Sequence, residues 1–497
     1  MNNYFKKPKL FLAAVLTTLM IFPTTLYAGT ESNTRYLNNI VQISTSSFGD
    51  THALALDQNG VVWAWGDNFS GQVGDGTTGY KSAAVPVLQD AQKIETSDTN
   101  SFALKKDGTV WVWGQATGLQ GNGTLNSISG IKDFVKPTQI KTLTNVVDIQ
   151  AGSYHILALK SDGTVWSWGD ANLGKLGRSE WKQSITKANT PMMVPGLQNI
   201  KSIYAGDGFS AATDEAGITW AWGVLSSYFD IIDNVVSKWE PVKLFDFPVT
   251  EIDDMSNRIY VTKSDGTLWE VQKTLKIKQV MKDVLTFSCG HSSCAVIKTT
   301  GDTVKFNDAA AIQKIGLVIK PNELKQIDFN YSTLLLLLNG TVHSYGRITS
   351  ITGNEMINDP DYNKYANLTN KMATEPHLRP VWKAITLNLN DSEAKLTTNP
   401  IVIKGVSFVP LRGVIEEMGG QVQYDNGDIT IWNDRNKIKL KIRTTAASIN
   451  GQNTTLTAPP LVIRGKTMVP LRFIGEGLGA SVEWDEENRV ISIKTEK

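Results

Sequence analysis

The sequence predicts an all-β fold, a seven-bladed β-propeller, followed by a small duplicated α+β domain. Two observations predict this fold class. A strand-turn-strand unit of the form Gly-x-x-Trp-x-Trp-Gly recurs seven times, and a second duplication fills the C-terminal end of the chain. Spacings of roughly 35 to 55 residues between copies are long enough for one four-stranded blade and too long for a single hairpin.

The repeat is clearest in its first four copies, of which Gly60-Val61-Val62-Trp63-Ala64-Trp65-Gly66 is typical. Most copies open on an Asn-Gly or Asp-Gly pair between β-type runs, a strong hairpin signal because both residues tolerate positive φ. The repeated tryptophans are Trp63, Trp65, Trp111, Trp113, Trp166, Trp168, Trp220, Trp222 and, alone in the fifth copy, Trp269. In the sixth and seventh copies, which lack tryptophan, we place the first-tryptophan position at Lys305 and His343.

The paired tryptophans are predicted to pack blade against blade. They lie two residues apart on a strand and therefore point to the same face of the sheet. Their recurrence at one fixed place in the unit favours packing over the rival hypothesis, a carbohydrate-stacking platform. Binding contacts are expected where the repeats differ, in loops of variable length such as residues 125–135. The candidate binding-loop aromatics are Tyr80, Trp181, Tyr228, Phe229 and Trp239.

The order of these elements resembles a known family. An apolar strand, the run His-Ala-Leu-Ala-Leu at residues 52–56, Asn-Gly, Val-Trp-x-Trp-Gly and a glycine loop at residues 66–74 resemble the regulator of chromosome condensation (RCC-type) repeat. The resemblance covers roughly residues 36–346. It implies a seven-bladed propeller, and the seven counted units agree with that number.

The N-terminus is typical of a secretory signal peptide. Lys6, Lys7 and Lys9 form a basic segment, an apolar stretch runs from Leu10 to Phe22, and Ala28 offers a small residue for cleavage. We therefore expect a secreted or cell-surface protein. No later run is long enough for a membrane span, so we expect none in the mature chain.

Charge and cysteine content exclude some partners and cofactors. Removing the three signal lysines changes the net charge from +1 to −2, which gives no electrostatic footprint for nucleic acid. Cys289 and Cys294 form either a local disulfide or two buried thiols, since with His291 they make an incomplete zinc set. We expect no metal and no cofactor.

The C-terminal duplication is offset by 60 residues, since Ile401-Val402-Ile403-Lys404-Gly405 matches Leu461-Val462-Ile463-Arg464-Gly465. Each half is predicted to be a β-hairpin followed by a short helix, with Pro410 or Pro470 in the first helical turn. Together with the repeated Val-Pro-Leu-Arg, residues 384–497 resemble the copper amine oxidase N-terminal-like stalk domain. The resemblance implies a non-catalytic module of exported bacterial proteins. We divide the chain into a signal peptide (1–28), the propeller (29–350), a linker or propeller closure (351–383) and the stalk domain (384–497).

No nucleophile elbow, phosphate loop or zinc-binding helix is visible, so we expect no enzyme activity. The leading hypothesis is an exported binding protein. Its propeller loops recognise a protein or a cell-envelope glycan, and the stalk domain is a spacer or surface-association module. Two alternatives stay open: a secreted propeller-type enzyme inhibitor, and a polysaccharide-active enzyme with carboxylates in the propeller channel.

Overall fold

The computed structural model describes residues 36–46, 52–116, 118–122, 133–181, 187–225, 237–245, 247–255, 258–272, 275–290, 293–307, 312–329, 333–346, 377–381, 383–394, 396, 398–403, 406–463 and 466–495. The predicted signal peptide lies outside these residues. Up to residue 380, the described strands form seven four-stranded antiparallel sheets, each built from strands consecutive in sequence. The predicted seven-bladed propeller is therefore confirmed.

The first four blades correspond to the well-preserved repeats. Blade one comprises β1 (Ile40–Thr45), β2 (His52–Asp57), β3 (Val62–Gly66) and β4 (Lys81–Leu88); blade two comprises β5 (Ala91–Thr96), β6 (Asn100–Lys105), β7 (Val110–Gly114) and β8 (Phe134–Gln139). Blade three comprises β9 (Val146–Ala151), β10 (His155–Lys160), β11 (Val165–Asp170) and β12 (Lys187–Met193); blade four comprises β13 (Ile200–Ala205), β14 (Phe209–Asp214), β15 (Thr219–Val224) and β16 (Ser237–Phe245). Two short 3₁₀ segments, Asn172–Gly174 and Ser179–Trp181, lie between β11 and β12.

The last three blades keep the same topology although their repeats are eroded. Blade five comprises β17 (Glu251–Met255), β18 (Arg258–Thr262), β19 (Leu268–Val271) and β20 (Ile277–Met281); blade six comprises β21 (Val284–Gly290), β22 (Ser293–Lys298), β23 (Asp302–Asn307) and β24 (Gln313–Val318). Blade seven comprises β25 (Leu324–Phe329), β26 (Thr333–Leu337), β27 (Val342–Gly346) and β28 (His377–Pro380). The outer strand of blade seven thus lies within residues 351–383. For these residues the sequence analysis had left two alternatives open, a linker or the closure of the propeller.

The first strand of each blade is its inner strand, because successive first strands contact one another around the ring, with β13 and β17 linked by the hydrogen bond from the Tyr204 hydroxyl to Asp253 at 2.8 Å. β25 contacts β1, so blade seven meets blade one and the ring closes. The hydrophobic cores lie between blades: Trp65 of blade one packs with Leu334 and Leu336 of blade seven. The ring is therefore held by contacts between neighbouring blades.

The hairpin glycines link neighbouring blades by a repeated backbone hydrogen bond. The turn glycine carbonyl accepts from the first N–H of the next inner strand. The pairs are Ala91 with Gly60, Val146 with Gly108, Ile200 with Gly163, Val284 with Gly266 and Ile40 with Gly340, at 2.9 to 3.3 Å. Gly340 has φ +79°, and a Cβ there would lie 2.8 Å from the Cα of Asn39. Glycine is required there by both the turn and the close approach of the next blade.

Blade six corrects the predicted register by one residue. In blade one, Trp65 pairs with the second residue of the preceding strand, and in blade six Phe306 takes this place. The first-tryptophan position therefore belongs to Val304, two residues earlier, and the placement at Lys305 was wrong. Because strand side chains alternate between faces, the shift of one residue had assigned the tryptophan position to Lys305, which lies on the opposite face of the strand.

The C-terminal domain contains three sheets and two short helices. Its strands are β29 (Thr386–Leu389), β30 (Ser392–Glu393), β31 (Ile401–Ile403), β32 (Val406–Pro410), β33 (Gln421–Asp425), β34 (Asp428–Trp432), β35 (Lys437–Lys441), β36 (Ala446–Ile449), β37 (Gln452–Thr455), β38 (Leu461–Ile463), β39 (Lys466–Pro470), β40 (Ala480–Asp485) and β41 (Val490–Thr495). The helices are α1 (Leu411–Glu417) and α2 (Leu471–Gly477). The sheets have the strand orders β30-β29-β41-β40, β31-β32-β39-β38 and β33 to β37 in sequence.

The duplication is visible in the second of these sheets, where the hairpins of both halves join through antiparallel β32 and β39, with Val409 opposite Val469. Pro410 and Pro470 end these strands and precede the helices as N-cap residues, one position before the predicted first turn. Propeller and C-terminal domain touch where the Ala384 N–H donates to the Ala84 carbonyl at 2.8 Å.

Candidate functional site

The second tryptophan of each pair is buried against the preceding blade. These residues are Trp65, Trp113, Trp168 and Trp222, all fully buried. A Cβ on Gly74, in the glycine loop of blade one, would lie 2.6 Å from the Trp113 ring of blade two. The Trp168 indole of blade three donates to the carbonyl of Leu119 in blade two at 2.8 Å. The glycine loops thus leave room for the tryptophan of the next blade.

The first tryptophan of each pair is half-buried and hydrogen-bonded within its own hairpin. Its indole N–H donates to an Asp or Thr side chain at the hairpin turn, at 2.6 to 3.2 Å. The donor and acceptor pairs are Trp63 with Asp57, Trp111 with Thr109, Trp166 with Thr164, Trp220 with Asp214 and Trp269 with Thr267. A lysine ammonium lies over the ring of Trp63, Trp111, Trp166 and Trp269, at 4.0 to 5.5 Å from the centroid. The N–H edge of each of these four rings is hydrogen-bonded and a lysine covers one face. This arrangement disfavours the alternative hypothesis that the tryptophans form a carbohydrate-stacking platform.

Of the predicted loop aromatics, the structure describes Tyr80, Trp181 and Trp239. Trp239 lies in β16 and packs against the apolar cluster of the blade-three loop. Tyr80 is half-buried, and Trp181 ends a 3₁₀ segment. Tyr228 and Phe229 lie outside the described residues, as does most of the 125–135 insert.

Cys289 and Cys294 are joined by a disulfide across the β21–β22 hairpin, where they are direct cross-strand partners. His291, between them in sequence, lies outside the described residues. Within the described ranges, no three His, Cys, Asp or Glu side chains are grouped so that they could hold a metal ion.

The buried histidines of β2 and β10 connect blades. His155 Nε2 lies 2.8 Å from Ser210 Oγ of the next blade, and that hydroxyl donates to the carbonyl of Lys175 at 2.8 Å. Because the serine proton is used there, His155 Nε2 carries a proton and donates. Burial lowers the pKa of His155 well below its usual range. His52 and Ser101 repeat the arrangement between blades one and two.

Polar side chains on the inner strands form a second set of blade-to-blade links, which the sequence analysis missed. Gln42 is the third residue of its inner strand. Its side-chain amide accepts the N–H of Ile94 in blade two at 3.0 Å and donates to the carbonyl of the same residue at 2.8 Å. Gln326 of blade seven bonds Ile43 of blade one in the same way, at 3.0 and 2.8 Å. The only sequence signal was a polar residue at the same place in each inner strand.

Two residues further along, at the fifth residue of β1, β21 and β25 and the third residue of the later-starting β17, the side chain accepts an N–H from the next inner strand. Ser44 accepts from Thr96, Asp253 from Cys289, Ser288 from Phe329 and Asp328 from Thr45, at 2.8 to 3.1 Å. Carboxylates in blades five and seven thus take the place of serine hydroxyls in blades one and six. The two carboxyl groups act as hydrogen-bond acceptors between blades.

Burial near the axis shifts the titration of these acids. It raises the pKa of Asp328 to about 7 and that of Asp253 to about 6, against the opposing effect of their hydrogen bonds. Burial also raises the pKa of Glu95 to about 7, although Lys93 lies 3.5 Å away. The inner ring therefore holds carboxyl groups that bind protons close to neutral pH.

The two ends of the ring differ in chemistry. The turn face carries the Asp-Gly hairpins, and the loop face carries the glycine loops and the ends of the inner strands. On the turn face, Val41, Val147 and Leu285 of the inner strands are exposed. On the loop face, exposed Tyr154 of blade three lies beside acidic residues of the same and neighbouring blades.

We call this group the acidic mouth: Asp98, Tyr154, Asp170, Asp207 and Asp254. Tyr154 is 51% exposed. Burial of its hydroxyl, then the charge of Asp98 and a hydrogen bond to it, raise the pKa of Tyr154 to about 12, with smaller effects of Asp207 and Asp170. The Asp207 N–H donates to Asp254 at 3.2 Å, which joins blades four and five. The acidic mouth thus places an accessible aromatic ring beside Asp98 and Asp207, while Asp170 forms an ion pair with Lys175 at 2.8 Å and burial raises the pKa of Asp254 well above its usual range.

These features define a class: a ring of seven interlocked blades, each built from one repeat, with an α+β domain appended. Family models identify the repeat. The models of the Regulator of chromosome condensation (RCC1) repeat match residues 40–72, 146–174, 107–159 and 162–213. The model of the Copper amine oxidase N-terminal domain matches residues 388–493. The chain carries an RCC1-type repeat propeller and a copper amine oxidase N-terminal domain.

Relatives match parts of the propeller. E3 ubiquitin-protein ligase HERC2 of Homo sapiens is 31% identical over 184 residues, which cover 35% of this chain and 4% of that protein. Protein RCC2 homolog of Xenopus laevis is 30% identical over 212 residues, covering 37% of this chain and 40% of the relative. Regulator of chromosome condensation of Mus musculus is 26% identical over 155 residues, covering 30% of this chain and 35% of the relative. The chain thus spans less than half the length of each of these relatives.

Among solved structures, human WBSCR16 is similar with a TM-score of 0.42 and 18% identity, over 52% of this chain and 72% of that one. Prp20p from Saccharomyces cerevisiae is similar with a TM-score of 0.39 and 19% identity, over 62% of this chain and 72% of that one. No helix among the described residues is long and apolar enough to span a membrane. The RCC1-type propeller indicates a binding or protein-interaction function.

Proposed function

We propose that this protein is an exported, non-enzymatic binding protein whose propeller recognises a protein partner at the acidic mouth. The C-terminal domain acts as a spacer or surface-association module. The observation that carries the proposal is the exposed ring of Tyr154 beside the carboxylates of Asp98 and Asp207. A surface aromatic in a negative field suits a lysine or arginine side chain, which pairs with carboxylates and stacks on the ring.

The acids near the axis support binding over catalysis. Asp328 and Asp253 each accept a backbone N–H of the following blade, as serine does in two other blades. Lys93 of blade two forms an ion pair with Asp148 of blade three. Groups engaged in this way link neighbouring blades, and this structural role accounts for their position without a catalytic one.

The experiment is capture of envelope proteins from the producing cell by the full mature chain. The wild type is compared with Tyr154→Ala and with the matched control Tyr424→Ala, which removes a similarly exposed tyrosine (45%) from the C-terminal domain. We expect one protein to be retained by wild type and control but lost with Tyr154→Ala. Its retention falls as salt is raised, because the contact is electrostatic.

The thermal midpoint of Tyr154→Ala is measured alongside, so that a folding defect is not read as lost binding. Identical capture by wild type and Tyr154→Ala would contradict the assignment of the acidic mouth. Product formation from an envelope polysaccharide that stops with Asp328→Asn would contradict the non-enzymatic assignment.

A further inference from the structure

An open cleft of about 360 Å³ lies on the outer side of the five-stranded sheet of the C-terminal domain. Alternation along β34 creates its floor, because Ile429 and Ile431 are buried in the domain core while Thr430 and Trp432 point to the other face. The size is within the range of small-ligand sites. We call it the Trp432 cleft; its lining includes Gln423, Thr430, Trp432, Arg435, Asn436 and Lys437.

Trp432 is the unusual residue of this cleft. It is only partly buried, and its direct cross-strand neighbours are Gln421 and Lys437, both exposed. Among described residues, the partly buried apolar side chains packed against the domain core include Trp484 but not Trp432. A large aromatic ring on a polar sheet face, outside the core, offers a stacking surface to a ligand.

The turn beside Trp432 is held rigid by side-chain amides. Asn433 Oδ1 accepts two backbone N–H groups of this turn at 2.8 and 3.1 Å, and its Nδ2 donates to the carbonyl of Leu478 at 2.9 Å. Asn450 Nδ2 donates to Asn436 Oδ1 at 2.9 Å. The cleft is therefore preorganised, which lowers the entropic cost of binding.

Other polar groups of the cleft are left for a ligand. The side chains of Gln423 and Thr430, the Trp432 indole N–H and Asn436 Nδ2 make no hydrogen bond to any other described residue. Hydroxyl groups suit such donors and acceptors, because each can donate and accept. Amides around an aromatic ring match a sugar, whose C–H face stacks on the ring while its hydroxyls meet the amides.

The positive charge beside Trp432 favours sugars that carry a negative charge. Arg435, Lys437 and Lys439 lie on or next to the cleft, against the single carboxylate of Asp434. We propose that the Trp432 cleft binds an acidic glycan, a polysaccharide whose sugar rings carry carboxylate groups. The sugar ring stacks on Trp432, and its carboxylates pair with Lys437. This site refines the proposed surface-association role of the C-terminal domain and rests on it.

The test measures affinity of the full mature chain for hyaluronan and polygalacturonate, with hydroxyethylcellulose as the neutral probe and a single-stranded oligonucleotide as the nucleic-acid probe. We expect binding to the two acidic polysaccharides, weakening with salt, and a weaker response to the other two. Trp432→Ala lowers this affinity about tenfold or more, by loss of the stacking surface. Lys437→Gln lowers it for the acidic probes, and Tyr424→Ala, outside the cleft, leaves it unchanged.

Failure to bind either acidic polysaccharide, unchanged affinity in Trp432→Ala, or tighter binding of the oligonucleotide overturns the proposal. Trp432→Ala should keep the wild-type thermal midpoint, and the exposed Lys437→Gln provides an independent variant if it does not. Tyr154→Ala binds the polysaccharides as the wild type does. Loss of polysaccharide binding together with persistent, Tyr154-dependent protein capture therefore refutes this site alone.

Discussion

Asp328→Asn tests whether the carboxyl groups near the axis act as links between blades. Asp328 accepts the Thr45 N–H at 3.1 Å and the Thr45 hydroxyl at 2.5 Å. Asparagine can reproduce both contacts, with its Oδ1 accepting the N–H and its Nδ2 donating to the hydroxyl. The variant therefore keeps the link and removes only the ionisable group.

The expected magnitude follows from the pKa of Asp328, raised by burial to about 7. Against an ordinary value near 4, this difference of about three pKa units corresponds to about 4 kcal/mol. Relaxation of the protein around a buried charge lowers the effective penalty, so the expected effect is about 2 kcal/mol. Because the folded state holds the proton more tightly, the stabilisation is present below about pH 4 and is lost as pH rises through 7.

The assay is urea unfolding of wild type and Asp328→Asn at pH 5 and pH 8. At pH 8 the variant should be more stable by about 2 kcal/mol, since it avoids burying a charge. At pH 5 the difference should shrink towards zero. A stability difference that is the same at both pH values would refute the reasoning, as would a variant less stable than wild type at pH 8.

Two further predictions concern contacts between blades. Gly74→Ala should destabilise the protein by about 2–4 kcal/mol, because the new Cβ meets the Trp113 ring at a positive φ. Gly427→Ala, with φ +90° and nothing within 4 Å, should cost about 1 kcal/mol in the same urea assay. Ser210→Ala should cost about 1–3 kcal/mol, because it leaves the His155 Nε2–H buried without an acceptor. Equal effects for the two glycine variants, or a neutral Ser210→Ala, would contradict the packing described.

The sequence predicted the parts of the propeller that are set by strong local chemistry. The Asn-Gly turns located the hairpins, and the fixed place of the tryptophans indicated packing between blades. The register failed in blade six, where Val304 and Phe306 replace the tryptophan pair and only the turn at Gly301 marked the strand.

The side-chain hydrogen bonds between neighbouring inner strands could not be predicted from local sequence patterns. Gln42 and Asp328 look like ordinary polar residues of a half-exposed strand, and their partners are 52 and 283 residues away. The acidic mouth joins residues of several blades, and Trp432 carries no repeat signal. The acidic mouth depends on which chain segments the closed ring brings together, and the Trp432 cleft depends on the pairing of strands in the C-terminal sheet. Local sequence patterns contain neither kind of information.

We propose above that the propeller binds its partner at the loop face. The most direct measurement places the photo-crosslinking residue benzoylphenylalanine at Tyr154, at Leu338 on the turn face (61% exposed) or at Tyr424 in the C-terminal domain. Each chain is irradiated with the captured partner. We predict a crosslinked product from position 154 and none from positions 338 or 424. A product from position 338 with none from 154 would contradict the claim.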